Sequence, residues 1–205
     1  MHDRTPSIVA NLTKIGSHFS AGAQQDPHKF MRSRTENMHI ADLRAGGHAT
    51  PPHHRREHTG LLHSIFGGYL RSRVQCEKCN FSNDTYDAFL DLSLEVDRAA
   101  AVPDALQSFT NTDILEGDNK FECSKCGKKT RATKRFTRYC TTRVLQLHPK
   151  RFGISEGGDS TKILHHVTFL ESLAVDPFTS QGEDHPHNTL AYALYTVIVH
   201  TGSSL

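Results

Sequence analysis

No apolar run in this sequence approaches the ~18–20 residues that a membrane-spanning helix needs, and the first residues lack the ordered pattern of a signal peptide. Net charge is nearly absent too: 24 Lys and Arg stand against 22 Asp and Glu, which leaves +2. A chain this balanced carries no field of one sign, and that argues against a membrane surface or nucleic acid as its principal partner. Cysteine is scarce, at five in 205 residues. Four of them in knuckle spacing with one to spare fit a reducing compartment better than a disulfide framework. The expectation is an intracellular protein, of cytoplasm or nucleus. Histidine is plentiful, with fifteen copies, some of which charge near pH 6. The length suits one sizeable domain with a proper core.

The cysteines carry the strongest pattern. Cys76-Glu-Lys-Cys79 and Cys123-Ser-Lys-Cys126 are two C-x-x-C knuckles with 43 residues between them. Zinc takes four soft ligands in a tetrahedron, and each tight turn supplies two thiolates. The long gap means that each knuckle caps its own hairpin and a structural Zn2+ ties the tips together. Two pairs of merely buried or disulfide-bonded cysteines are the plainer alternative, which the doubled spacing disfavours. Lys78, Lys125, Lys128 and Lys129 are expected to favour the ionised thiols. His53, His54 and His58 lie in a stretch (45–59) without apolar period, and read as a solvated insertion rather than a second metal cluster.

Taken in order, residues 5–19 read as a helix with Ile8, Leu12, Ile15 and Phe19 on one face. A second helix begins at Asp26-Pro27, a cap followed by proline, and turns Phe30, Met31 and Met38 inward. Lys29 stands where a glutamate would close a capping box. Leu61, Leu62, Ile65 and Phe66 form a short helical segment before Gly67-Gly68. From Tyr69 the period becomes two. Residues 69–75 make a strand into the first knuckle and 84–96 a strand out of it, with Leu90, Leu92, Leu94 and Val96 buried. A short helix is expected over 103–109, then strands at 119–122, 130–139, 144–148 and 162–169. Residues 190–199 read as the most apolar strand, buried on both faces or nearly so. The class is α+β, helices first and then an antiparallel sheet with metal-capped hairpins.

These segments, in this order, resemble the catalytic domain of the ubiquitin-specific proteases, papain-like cysteine deubiquitinases. Gln24-Gln25-Asp26-Pro27-His28-Lys29-Phe30 looks like that family's Q-Q-D-A-H-E-F helix start. Phe66-Gly67-Gly68-Tyr69 resembles its F-x-G segment, and Leu90-Asp91-Leu92-Ser93-Leu94 its L-x-L-x-L strand. Leu145-Gln146-Leu147-His148-Pro149-Lys150-Arg151-Phe152 is similar to L-x-L-H-L-K-R-F. Residues 192–202 match Y-x-L-Y-A-V-x-V-H-x-G.

The resemblance implies part of a hand-shaped fold of palm, thumb and zinc-bearing fingers. It assigns 5–44 to a helical thumb-side segment, 45–59 to a mobile loop, 60–152 to fingers and palm, and 153–205 to palm strands. It makes Cys76, Cys79, Cys123 and Cys126 the zinc ligands. Gln24 and Asp26 become candidates for holding the arginine-containing ubiquitin tail, Asp26 by a charge-assisted bond, although Asp26 equally suits a plain helix cap. Lys29, Pro27 and Pro149 depart from the family pattern.

Thiol hydrolysis needs a nucleophile, a base and a residue to orient it. The family's nucleophile lies upstream of the Q-Q-D segment, where this chain has no cysteine, and its histidine lies beyond V-H-x-G. Cys140 reads as a free, mostly buried cysteine on a strand, and His200 aligns with the earlier histidine of V-H-x-G. The expectation is therefore a partial record of an active deubiquitinase, inert by itself, with ubiquitin and ubiquitinated proteins as partners. A non-catalytic ubiquitin-binding module is the alternative. A zinc ribbon binding nucleic acid through Lys128, Lys129, Arg131, Lys134, Arg135 and Arg138 is a third reading, against which the near-neutral total weighs.

Overall fold

The computed structural model describes residues 10–20, 22, 26–45, 60–140, 142–154, 160–178 and 191–199. The chain forms two compact units. The first holds α1 (Leu12–Ile15), α2 (Pro27–Ala45) and most of α3 (Leu61–Phe66). Of the helix expected over 5–19, the described residues 10–19 are helical only in the single turn of α1, and Gly16 ends it with extended backbone. Phe19 is fully buried and meets Phe30 edge-on at 5.8 Å. Asn37 Nδ2 donates to the Ile15 carbonyl at 2.6 Å and ties α1 to α2.

α2 starts where the cap and proline place it. Its buried residues are Thr35 and Leu43, while Phe30 and Met31 are half-buried and Met38 is exposed, against the expectation that it turns inward. The helix is too polar for a full apolar stripe, so single residues spread along it, Phe30, Thr35 and Leu43, supply its packing. The 45–59 loop and its histidines lie, beyond Ala45, outside the described residues.

The second unit carries the sheet. Its strands are β1 (Gly68–Cys76), β2 (Ser82–Phe89), β3 (Leu92–Glu95), β4 (Thr112–Leu115), β5 (Phe121–Cys123), β6 (Lys128–Thr130), β7 (Ala132–Cys140) and β8 (Leu147–Lys150). Four of them form an antiparallel sheet in the order β2-β1-β7-β4. β5 and β6 make a separate hairpin. Gly68 opens β1 where a Cβ would stand 2.5 Å from the Phe89 ring and 2.9 Å from Thr142 Cγ2, so no side chain fits there.

The stretch expected as one strand over 84–96 is two, broken at Leu90-Asp91. β2 stays in the four-stranded sheet, whereas β3 pairs in parallel with β8, a departure from the all-antiparallel expectation. The alternation itself holds, for Leu92, Leu94 and Val96 are buried and Glu95 is exposed. Leu92 N donates to Gln146 O at 2.9 Å in a register that sets Leu92 opposite Leu147. In a parallel ladder the bonding groups of β8 then fall at residues 146, 148 and 150, so Pro149 withholds no donor from β3.

α4 (Val102–Phe109) lies against β3 and closes the core. Asp104 accepts the Ala101 N–H at 2.9 Å and Pro103 sits in the first turn, which together fix its start. Leu94, Val96, Ala99, Ala105, Leu106, Val167, Val175 and Phe178 form the buried cluster.

After it in the chain come β9 (Phe152–Ile154), β10 (Ser160–Lys162), which belongs to the first unit, β11 (Ser172–Ala174) and β12 (Ala191–Ala193), with β11 and β12 antiparallel. The strand expected over 162–169 shrinks to the end of β10 and one bridge at Thr168. The strand expected over 190–199 is also shorter. Only Ala191–Ala193 pairs, and beyond it Tyr195 is 73% exposed and Val199 72%. Apolarity shows what a segment can bury, but burial needs a cover, and residues 195–199 are all exposed.

Candidate metal centre

The first knuckle is the turn between β1 and β2, and the second is the turn between β5 and β6. In each, the residue after the second cysteine returns its N–H to the carbonyl of the first. Asn80 N meets Cys76 O at 2.9 Å, and Gly127 N meets Cys123 O at 2.8 Å. The turn folds the two thiols of each pair to one side. All four sulfurs, of Cys76, Cys79, Cys123 and Cys126, then lie within 4.8 Å of one another. Across the knuckles, Cys79 Sγ and Cys123 Sγ are 3.6 Å apart. A zinc–sulfur bond of about 2.3 Å in a tetrahedron places sulfurs about 3.8 Å apart, so this donor set fits Zn2+ after a small contraction. Cys76 and Cys123 are fully buried and Cys79 and Cys126 half-buried.

The thiols differ electrostatically. Burial pushes the Cys76 thiol up, yet the backbone N–H groups of Cys79 and Lys78, with the Thr130 hydroxyl, bring it down to about 6. Cys79 goes the other way, to about 11. The Phe81 N–H lowers it, but burial and the neighbouring Cys76 and Cys123 outweigh that. Cys126 is raised by burial and by Cys123. The depression of Cys76 thus comes from backbone dipoles and a hydroxyl, not from the lysine charges expected to supply it. Lys125, one of those lysines, extends its Nζ over the Phe81 ring at 5.9 Å from the centroid. Crowding several thiols with one low proton affinity is an arrangement that a divalent cation relieves.

The other residues singled out in the sequence lie elsewhere. Asp26 caps α2, its Oδ1 accepting the His28 N–H at 2.8 Å, while Gln24 and His200 lie outside the described residues. Lys29 is exposed in the first turn of α2. Cys140 ends β7 opposite Tyr69, beside a bulge. The basic run 128–138 is not one patch. Arg131 pairs with Glu77 and Glu116, Lys134 lies over Phe136, Arg135 donates to Thr110 O, and the buried Arg138 donates to the Tyr192 hydroxyl. Lys128 and Lys129, at the start of the run, are exposed. Among the described residues no helix is long and apolar enough to cross a membrane. Two residues join the centre that sequence reasoning misses, Asn80 and Thr130, whose Oγ1 lies 3.8 Å from Cys76 Sγ. The one signal for Asn80 is its place directly after a knuckle.

Comparison with known proteins agrees with this geometry. The family described as "Ubiquitin carboxyl-terminal hydrolase" matches residues 4–205. Human ubiquitin carboxyl-terminal hydrolase 42 is 40% identical over 195 residues, covering 95% of this chain and 14% of that protein. Human ubiquitin carboxyl-terminal hydrolase 17-like protein 6 is 36% identical over 197 residues, covering 96% and 47%. Among solved structures, a SAGA deubiquitinating module of Ubp8, Sgf11, Sus1 and Sgf73 bound to monoubiquitin is similar, its Ubp8 carrying a point substitution. Its TM-score is 0.72 at 25% identity, covering 84% of this chain and 38% of that one. A second such module, with a different Ubp8 variant, gives 0.73 at 25% identity over 89% and 41%. The chain spans less than half the length of these relatives. It belongs to the ubiquitin carboxyl-terminal hydrolase family, as the resemblance to ubiquitin-specific proteases implied.

Proposed function

We propose that this chain is the fingers-and-palm portion of a ubiquitin-specific protease, a protein that holds ubiquitin for thiol-dependent hydrolysis of its conjugates. The observation that carries the reading is the convergence of four thiols from two distant turns at the tip of a sheet, in a chain matched to the family from residue 4 to residue 205. A related module bound to monoubiquitin supports ubiquitin as the ligand.

Zn2+ held by Cys76, Cys79, Cys123 and Cys126 supplies a structural cross-link and no chemistry on substrate. Its thiolates join the β1–β2 turn to the β5–β6 hairpin, which share no strand pairing. Held in this way, the fingers present a fixed surface to the body of ubiquitin. Asp26 uses one carboxylate oxygen on His28 N. A carboxylate accepts several hydrogen bonds, so capping leaves capacity for an arginine of the ubiquitin tail. Gln24, two positions earlier in the sequence, is proposed for the same role, and the exposed Lys29 weakens that role by adding positive charge.

The chain by itself performs no hydrolysis. Four of its five cysteines are committed to the cluster, and Cys140 sits in a β-ladder rather than at a helix N-terminus that would activate it. Binding without turnover is also what the alternative, a non-catalytic ubiquitin-binding module, requires. Titration of zinc-loaded protein into isotope-labelled ubiquitin, beside an assay with a fluorogenic ubiquitin substrate, tests the proposal. Saturable shifts without turnover are expected. No binding would sink the ubiquitin reading, and turnover would sink the assignment of the thiols.

A further inference from the structure

The β5–β6 hairpin meets the four-stranded sheet through two short crossings. Glu116 follows β4 on the way in, and Arg131 is the single residue between β6 and β7 on the way out. The two are in contact, with Arg131 Nε 3.1 Å from Glu116 Oε2. Arg131 also reaches the first knuckle. Its Nη1 lies 3.7 Å from Glu77 Oε2, and its carbonyl accepts the Glu77 N–H at 3.2 Å. The neighbouring Thr130 places its hydroxyl 3.8 Å from Cys76 Sγ. Arg131 therefore stands at the hairpin's exit, contacts its entrance at Glu116, and contacts Glu77 in the turn that carries the opposing pair of ligands.

We propose that Arg131 is the positioning residue of the metal centre, setting the angle at which the β5–β6 hairpin stands on the sheet. That angle sets the separation of Cys123 and Cys126 from Cys76 and Cys79. The inference rests on the zinc reading above and adds a role outside the ligand set.

A hairpin attached at two narrow crossings has a natural hinge there, and a hinge between ligand pairs weakens a metal site by letting the pairs drift apart. The guanidinium is suited to prevent this. Its planar fork presents several donors in fixed directions, so it can serve two carboxylates at once, which an ammonium on a flexible stem does poorly. The side chains of Arg131, Glu77 and Glu116 are 49%, 40% and 63% exposed, so the pairs are screened and individually weak. Their effect is on geometry at the cluster rather than on the stability of the fold.

The test is the Zn2+ affinity of the full chain, by competition with a chromophoric chelator, for wild type, R131A, R131K and E116Q. R131A is expected to weaken binding by about three- to tenfold, E116Q by less, and R131K to recover part of the loss. In the Co2+ form, R131A should show a weaker visible d–d band as the site departs from tetrahedral, with the thermal midpoint of the metal-free protein unchanged. The gap between R131A and wild type should narrow in about 1 M salt. R131A and E116Q both within about twofold of wild type, with unaltered Co2+ spectra, would overturn the inference. A wild-type chain that takes up no metal would instead remove the zinc reading, and the positioning role with it.

Discussion

Asn80 and Gly127 hold the same position in the two knuckles, each with a left-handed backbone, φ 55° and 61°. Each donates its N–H to the first cysteine of its own turn. Glycine takes this conformation freely and asparagine tolerates it, whereas a β-branched residue does not. N80G is expected to be near neutral and N80V to cost roughly 1–2 kcal/mol. G127V is expected to behave like N80V. Urea unfolding of the zinc-loaded protein, with metal content measured in parallel, checks both; equal stability of N80V and wild type would contradict the turn geometry.

Metal uptake should depend on acidity. Cys79 is held at about 11 and Cys126 is raised, so in the metal-free protein both carry protons at neutral pH and must lose them on binding. Cys76, at about 6, is largely ionised already. Zn2+ binding therefore releases protons near pH 7, and affinity should fall as pH is lowered. Calorimetry in buffers of different ionisation enthalpy counts those protons. One zinc per chain is expected from elemental analysis, with C79S and C123S each losing it.

Arg73 and Asp84 face each other across β1 and β2 with two hydrogen bonds, Nε to Oδ1 at 2.8 Å and Nη2 to Oδ2 at 2.7 Å. The Arg73 guanidinium holds the Asp84 carboxyl below the usual carboxylate range, against partial burial that pushes it up. A depressed carboxyl contributes stability that is fully present above its unfolded value and is lost as pH falls through the lower folded value. Arg73 is partly exposed, which keeps the contribution under about 1 kcal/mol. D84N should remove this pH dependence below about pH 4, visible as convergence of wild-type and mutant melting temperatures in acid.

Leu94 is fully enclosed in the main core, on a strand that lies between α4 and β8. L94A is expected to cost about 2–5 kcal/mol through lost transfer energy and the cavity left behind. Ser93, its outward neighbour on β3, contacts His148 Nδ1 at 3.1 Å. S93A should cost much less, about 1 kcal/mol. Denaturant midpoints of the two variants decide whether β3 faces the core as described.

The local features of this protein are legible in the residues because each depends on near neighbours. Asp26-Pro27 starts a helix by the chemistry of one cap and one fixed φ. The alternation of Leu92, Leu94 and Val96 says which face is dry whatever strand lies beside it. The two C-x-x-C turns single out the four thiols that gather, since turn geometry alone presents both sulfurs of a pair. The partners are decided only in three dimensions. Nothing within 84–96 shows that β2 and β3 join different sheets, or that β3 pairs in parallel with β8. Ser93 and His148, opposite each other in that pairing, are 55 positions apart. The apolar stretch beyond β12 departs from expectation for the same reason, since its hydrophobicity is intrinsic and its cover is not. Arg131 looks like one charge in a basic run, and only the return of the chain past Glu77 and Glu116 places it at the junction of the metal centre.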